Sequence, residues 1–84
     1  MTNDQSYENK AKKDLIDLIT TRMPFGKYKG RAICDLPETY LVWFSQKGFP
    51  EGRIGTLLQI MYGIKAEGIE HVVYSLRSKL QHKR

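Results

Sequence analysis

Glycine and proline interrupt this chain of 84 residues so often that it can fold only into short elements. The interruptions lie at residues 24–30, at residues 48–52 and at Gly68. Between them, apolar residues recur at the spacing of amphipathic helices. A chain of this length buries one core, so we expect the whole chain to form a single domain, with fraying at residues 1–6 and 81–84.

The apolar spacing predicts four helices. They are expected at about residues 5–20, 37–48, 52–65 and, after Gly68, in the last segment of the chain. Pro37 suits the first turn of the second helix because its missing N–H would have no partner there, and Gly48 suits the C-terminal cap.

Three aromatic side chains lie on the second predicted helix, at Tyr40, Trp43 and Phe44. A domain this small needs large apolar side chains in its core, so we expect Trp43 and Phe44 to be buried. Tyr40 is expected to bury its ring and to leave its hydroxyl group near residues 22–34. Cys34 is expected to be a small core residue.

Residues 22–34 have a different pattern. Met23 and Phe25 alternate with polar or constrained neighbours, and residues 32–34 form a second apolar run, which together predict a β-hairpin. Its tip would lie at residues 27–30, with Gly30 in the left-handed conformation, and Pro24 would place its strand at an edge. The predicted fold class is therefore α+β, a short β-hairpin packed against three to four helices.

The same segment is strongly basic, although the whole chain has a net charge of only +5. Lysine and arginine suit phosphate groups, and an aromatic ring can stack on an unpaired base. The predicted nucleic-acid-binding residues are Arg22, Lys27, Tyr28, Lys29 and Arg31. A purely structural interpretation stays open, because edge hairpins use lysines against aggregation and Tyr28 can pack on its own strand.

The run 23-MPFGKYKGRAICDLPETYLVWF-44 contains the pattern M-P-F-G-K-x-K-G followed by L-P-x-x-Y-L-x-W-L/F. This pattern resembles that of a small bacterial domain family described as "putative quorum-sensing-regulated virulence factor". It is also similar to the C-terminal domain of exodeoxyribonuclease X-like proteins. As a tail on exonucleases, such a domain is implied to help hold nucleic acid.

No arrangement of residues typical of catalysis or metal binding is apparent. Asp14 and Asp17 fit the polar side of an amphipathic helix, whereas a nuclease site needs carboxylates gathered around metal ions. His71 and His82 are too isolated for a zinc site with the single Cys34. We therefore expect no enzymatic activity, no metal and no cofactor.

These patterns favour a non-catalytic accessory module that binds nucleic acid, most readily DNA, through a basic β-hairpin. The alternative is a protein-interaction or regulatory module that uses the same exposed hairpin to add a strand to its partner. The polar N-terminus and the lone cysteine favour the cytoplasm, with no membrane partner. The charge of Arg77 is assigned to the C-terminal end of the last helix.

Overall fold

Helices account for most of the described chain. The computed structural model describes the backbone of residues 4–81 and the side chains of residues 9–81. Its elements, in chain order, are α1 (Asp4–Thr20), a short 3-10 helix (Ile33–Asp35), α2 (Glu38–Lys47), α3 (Arg53–Ala66) and α4 (Glu70–Gln81). The predictions for residues 1–3, for residues 82–84 and for His82 lie outside the described residues.

The helix boundaries agree closely with the predicted ones. Pro37 is the N-terminal cap of α2, one residue before the position predicted for it, and Gly48 is the C-terminal cap, with its N–H donating to the Phe44 carbonyl.

None of the helices in residues 4–81 is long and apolar enough to cross a lipid bilayer.

The α+β prediction is wrong, because the described residues contain four α-helices, one short 3-10 helix and no strand. Residues 22–32, here called the basic loop, contain one isolated bridge between Arg22 and Ala32 in place of a ladder. Pro24 has no N–H to donate, and residues 27–30 are used in turns, so no further pairs can form. Beyond Ala32 the chain winds at once into the 3-10 helix, which ends the pairing on that side.

The basic loop is nevertheless closed by hydrogen bonds. The Met23 N–H donates to the Arg31 carbonyl oxygen and the Gly30 N–H donates to the Met23 carbonyl oxygen, each at 2.8 Å. The Arg22 guanidinium donates to the Gly30 carbonyl oxygen at 2.9 Å. Gly30 has a positive φ of 91°, as predicted, which lets the chain turn back toward Met23.

The core is built around the segment between α1 and α2. This segment supplies Met23, Ile33, Cys34 and Leu36, all of them buried. The helices supply the remaining buried hydrophobic residues, which are Leu18, Leu41, Phe44, Leu57, Leu58, Met61 and Val73. The predicted burial of Phe44 and Cys34 is therefore confirmed. The segment between α1 and α2 lies at the centre of the domain although it contains no regular strand.

The prediction that Trp43 is buried is wrong, since its side chain is 49% exposed. Residues three apart share a face of a helix, and the inward face of α2 is occupied by Leu41 and Phe44. Trp43 lies next to Tyr40 at the edge of this face and is turned toward solvent.

Helix α3 packs very closely against the turn that precedes it. A Cβ atom added to the buried Gly55 would lie 1.6 Å from the Pro50 carbonyl oxygen. Only glycine fits at this position, because the neighbouring atom belongs to the backbone and cannot rotate aside. Gly63 lies in the same helix, and a Cβ atom added there would meet nothing within 4 Å.

We predict that Gly55→Ala lowers the free energy of unfolding by about 1–3 kcal/mol, because α3 must move away from Pro50. The matched control Gly63→Ala is expected to raise it by roughly 0.5–1 kcal/mol, as usual for glycine replaced inside a helix. Urea unfolding followed by circular dichroism measures both changes. Equal stability of the two variants would contradict the close contact at Gly55.

Candidate functional site

The predicted binding residues lie together on the basic loop. The side chains of Arg22, Lys27, Lys29 and Arg31 are exposed, and that of Tyr28 is half-buried. The ion pairs formed by side chains of residues 9–81 involve Lys13, Arg53 and Arg77 and none of these four cations. Four positive charges therefore face solvent from one closed loop without a described carboxylate partner.

Tyr28 organises the loop. Its ring lies 5.5 Å from the Lys27 ammonium nitrogen and 5.1 Å from the Arg31 guanidinium carbon, distances at which a cation is attracted to the face of an aromatic ring. The same ring meets Tyr40 of α2 edge to face, with 4.7 Å between ring centroids. Tyr28 thus packs on α2 and holds two of the cations close to that helix.

Tyr40 is the residue of α2 that contacts the loop. A Cβ atom at Gly26 would lie 3.0 Å from the Tyr40 hydroxyl oxygen, so the loop backbone passes directly beside this group, as expected from the sequence. Gly26 also has a positive φ of 79°, which favours glycine. Burial, followed by the proximity of Tyr28, raises the pKa of Tyr40, so its hydroxyl stays a neutral hydrogen-bond donor.

An open groove lies between the loop and α2, with a volume of about 480 Å³. We call it the aromatic groove, and it is lined by Gly26, Lys27, Tyr28, Thr39, Tyr40 and Trp43. Sequence reasoning missed Trp43 as a surface residue. Its spacing gave no such signal, because Tyr40 is three residues from Trp43 and four from the buried Phe44, which places all three on one side of α2.

A second, smaller groove of about 380 Å³ lies between α1 and α4. It is lined by Lys12, Leu15, His71, Val72, Ser75, Leu76 and Lys79. Three of its lining residues, Leu15, Val72 and Leu76, are aliphatic, and the exposed imidazole of His71 is the only aromatic ring among them. Its two lysines, Lys12 and Lys79, are useful as controls, because they are exposed cations that do not line the aromatic groove.

The carboxylates considered for metal binding are engaged in ion pairs. The Arg53 guanidinium donates to Asp14 at 2.7 Å and to Asp17 at 2.8 Å, which ties α1 to α3. The hydrogen bond from Arg53 is the main reason that the pKa of Asp17 lies below its ordinary value. Within residues 9–81, no three His, Cys, Asp or Glu side chains lie close enough to share a metal ion.

The assignment of Arg77 to the end of α4 is corrected by its contacts. Its guanidinium donates to the Asp35 carboxylate at 2.8 Å and lies 3.4 Å from the Cys34 sulfur, so it joins α4 to the 3-10 helix. Cys34 is buried, and this desolvation is the main reason that the pKa of its thiol is raised. The thiol is therefore held in its unreactive protonated form.

Comparison with known proteins shows the family to which the chain belongs. A family model described as "Putative quorum-sensing-regulated virulence factor" matches residues 11–76. The chain belongs to this family. The matched range includes the basic loop, α2 and α3 completely, so the aromatic groove lies within the part that defines the quorum-sensing-regulated virulence factor family.

Two relatives are similar over nearly their whole length. The "Uncharacterized protein YpeB" of Escherichia coli strain K12 and its counterpart in Escherichia coli O157:H7 are each 51% identical over 70 residues, which cover 82% of this chain and 97% of the relative. No solved structure gives a significant match. These matches bear out the family resemblance and do not extend to exodeoxyribonuclease X-like proteins.

We predict that Arg77→Ala lowers the free energy of unfolding by up to about 1 kcal/mol, because it removes the partly exposed link between α4 and Asp35. The control Lys79→Ala, on the same helix, should change it by less than about 0.5 kcal/mol. A double-mutant cycle with Asp35→Asn, measured by urea unfolding, isolates the pair. A coupling energy of zero would show that Arg77 does not stabilise the fold through Asp35.

Proposed function

We propose that this chain is a non-catalytic accessory module that binds nucleic acid at the basic loop. DNA is the preferred candidate for the ligand. The observation that carries the proposal is the set of four exposed loop cations that form no ion pair with the side chains of residues 9–81. The description of the family speaks of a regulated virulence factor and names no ligand. The surface of the basic loop and the motif at residues 23–44 therefore carry the choice of ligand.

The loop suits a phosphate backbone because its cations are held on a fixed base. Met23 and Ile33, near the two ends of the loop, are both buried, and the Tyr28 ring keeps Lys27 and Arg31 near α2. Cations whose positions are already restricted lose less entropy when they bind. Each phosphate that they neutralise releases counterions from the nucleic acid, which favours binding at low salt.

The resemblance of residues 23–44 to exonuclease tails, which rests on the motif alone, points to the same ligand. Among the residues of that pattern, Gly26, Lys27, Tyr40 and Trp43 all line the aromatic groove. The part of the chain that resembles the C-terminal domain of exodeoxyribonuclease X-like proteins is therefore the part with the cationic and aromatic surface. In such proteins a tail of this kind is implied to hold nucleic acid while another domain performs the chemistry.

The absence of catalysis is part of the proposal. Asp14 and Asp17 are paired with Arg53, and the Cys34 thiol is buried beside Arg77. Neither arrangement supplies an activated nucleophile or an open metal site. A cytoplasmic location is proposed with it, because nucleic acid is present there and the only cysteine has no partner for an intramolecular disulfide.

The alternative is a protein-interaction or regulatory module that uses the same loop. The exposed side chains of Phe25 and Trp43 favour it, since large apolar groups at a surface often contact protein partners. Strand addition is poorly supported, because the N–H groups of Met23 and Gly30 are already used inside the loop. A protein partner would have to be acidic to match the loop.

We predict that the double variant Lys27→Ala/Lys29→Ala binds short DNA strands more weakly and with a flatter dependence on salt. The slope of log affinity against log salt should fall by about 0.7 for each phosphate of a single strand that the variant no longer neutralises. The matched control is Lys12→Ala/Lys79→Ala, which removes the same charge from the second groove. Fluorescence anisotropy of labelled strands at several salt concentrations measures all three proteins.

The control double variant is expected to keep the affinity and the slope close to those of the original protein. An equal weakening in both double variants would show that DNA responds only to overall charge. A failure of the original protein to bind either single-stranded or duplex DNA at low salt would contradict the proposed function. An affinity that does not change with salt would favour the protein-interaction alternative.

A further inference from the structure

Trp43 is exposed in a domain that has few large side chains to spare for its surface. The residue is 49% exposed, yet its indole ring contacts the neighbouring rings of α2. It meets the buried Phe44 edge to face, with ring centroids 5.1 Å apart, and lies parallel to Tyr40 with an interplanar angle of 5°. Trp43 and Tyr40 therefore present two parallel aromatic rings in the lining of the aromatic groove.

The opposite side of the groove is cationic. Lys27 and Tyr28 of the basic loop line it, and Arg31 lies over the Tyr28 ring. Flat aromatic faces beside positive charges match a planar aromatic ring joined to an anion. In a nucleic acid, the base and its phosphate have this combination.

We infer that the aromatic groove binds an unpaired base of single-stranded DNA, with Trp43 as the stacking residue and the lysines of the basic loop on the adjacent phosphates. This inference rests on the proposed function and narrows its ligand. In a duplex the faces of the bases are already stacked on one another, so Trp43 would have no free face to contact. The surface therefore selects strands with at least one unstacked base.

The volume and polar groups of the groove leave room for a planar ring such as one base. Its volume of about 480 Å³ lies in the range of roughly 300–1,000 Å³ typical of sites for small organic ligands. Thr39 and Tyr40 add hydroxyl groups to the lining, which can donate to the acceptor atoms on the edge of a base. Stacking dominates over these groups, so little preference among the bases is expected.

A groove with Tyr and Trp side chains also suits a proline-rich peptide. The charge of the loop favours the strand of DNA, because a proline-rich helix has a solvated and uncharged backbone that gains nothing from four adjacent cations. Titration with each ligand in turn distinguishes the two.

Trp43 is the only tryptophan in the chain, so its fluorescence reports on the groove alone. The unmodified protein is titrated with a short single-stranded oligodeoxynucleotide, with an abasic strand of the same length and charge, and with the duplex. We expect quenching of Trp43 by the base-containing strand and an affinity about 5- to 150-fold higher than for the abasic strand. The duplex is expected to bind without quenching.

Trp43→Ala should lose the advantage of the base-containing strand over the abasic strand and keep the salt dependence of both. Trp43→Phe, which retains a ring, should restore part of the advantage. Melting temperatures of both variants, followed by circular dichroism, show that the fold is kept, as expected for a half-exposed side chain.

The outcomes separate base stacking from DNA binding as a whole. If the abasic strand binds as tightly as the base-containing strand and Trp43 fluorescence does not change, base stacking is overturned while the proposed binding of DNA stands. If no DNA binds at low salt, the proposed function fails and this inference fails with it. Quenching by a proline-rich peptide but not by single-stranded DNA would overturn the inference in favour of a peptide site.

Discussion

The burial of Met23 and Ile33 is the constraint on which the rest of the structure depends. These two side chains are buried in the core near the two ends of the basic loop, and together with Cys34 and Leu36 they form the part of the core around which the helices pack. The chain between them has to leave the core and return within a few residues. It does so as a closed loop, and all four of its cations are exposed.

A second contact joins this loop to α2. Tyr28 packs edge to face on Tyr40, and the absence of a side chain at Gly26 lets the loop backbone approach the Tyr40 hydroxyl. The cations and the aromatic face of α2 therefore form one surface, although they come from different elements. Long-range charge attraction brings a polyanion to such a surface, and aromatic contacts then select among polyanions.

The sequence predicted the helices well because their apolar spacing and their glycine and proline boundaries, such as Pro37 and Gly48, are local signals. The prediction of a β-hairpin was wrong because alternation of apolar and polar residues over so short a segment does not show whether a ladder of backbone hydrogen bonds continues beyond Ala32. The errors at Trp43 and Arg77 have a common cause. Contacts between distant segments decide which face of α2 is turned inward and bring Arg77 to Asp35. Local spacing in the sequence does not encode such contacts.

The central claim is that the basic loop and the exposed face of α2 contact one ligand together. Nuclear magnetic resonance of the isotope-labelled protein, titrated with a short single strand of DNA, tests it directly. We expect the largest shifts at the backbone amides of residues 26–31 and 39–43 and at the Trp43 indole N–H. Shifts concentrated at Lys12, His71 and Lys79 in the second groove, or an unchanged spectrum at low salt, would contradict the claim.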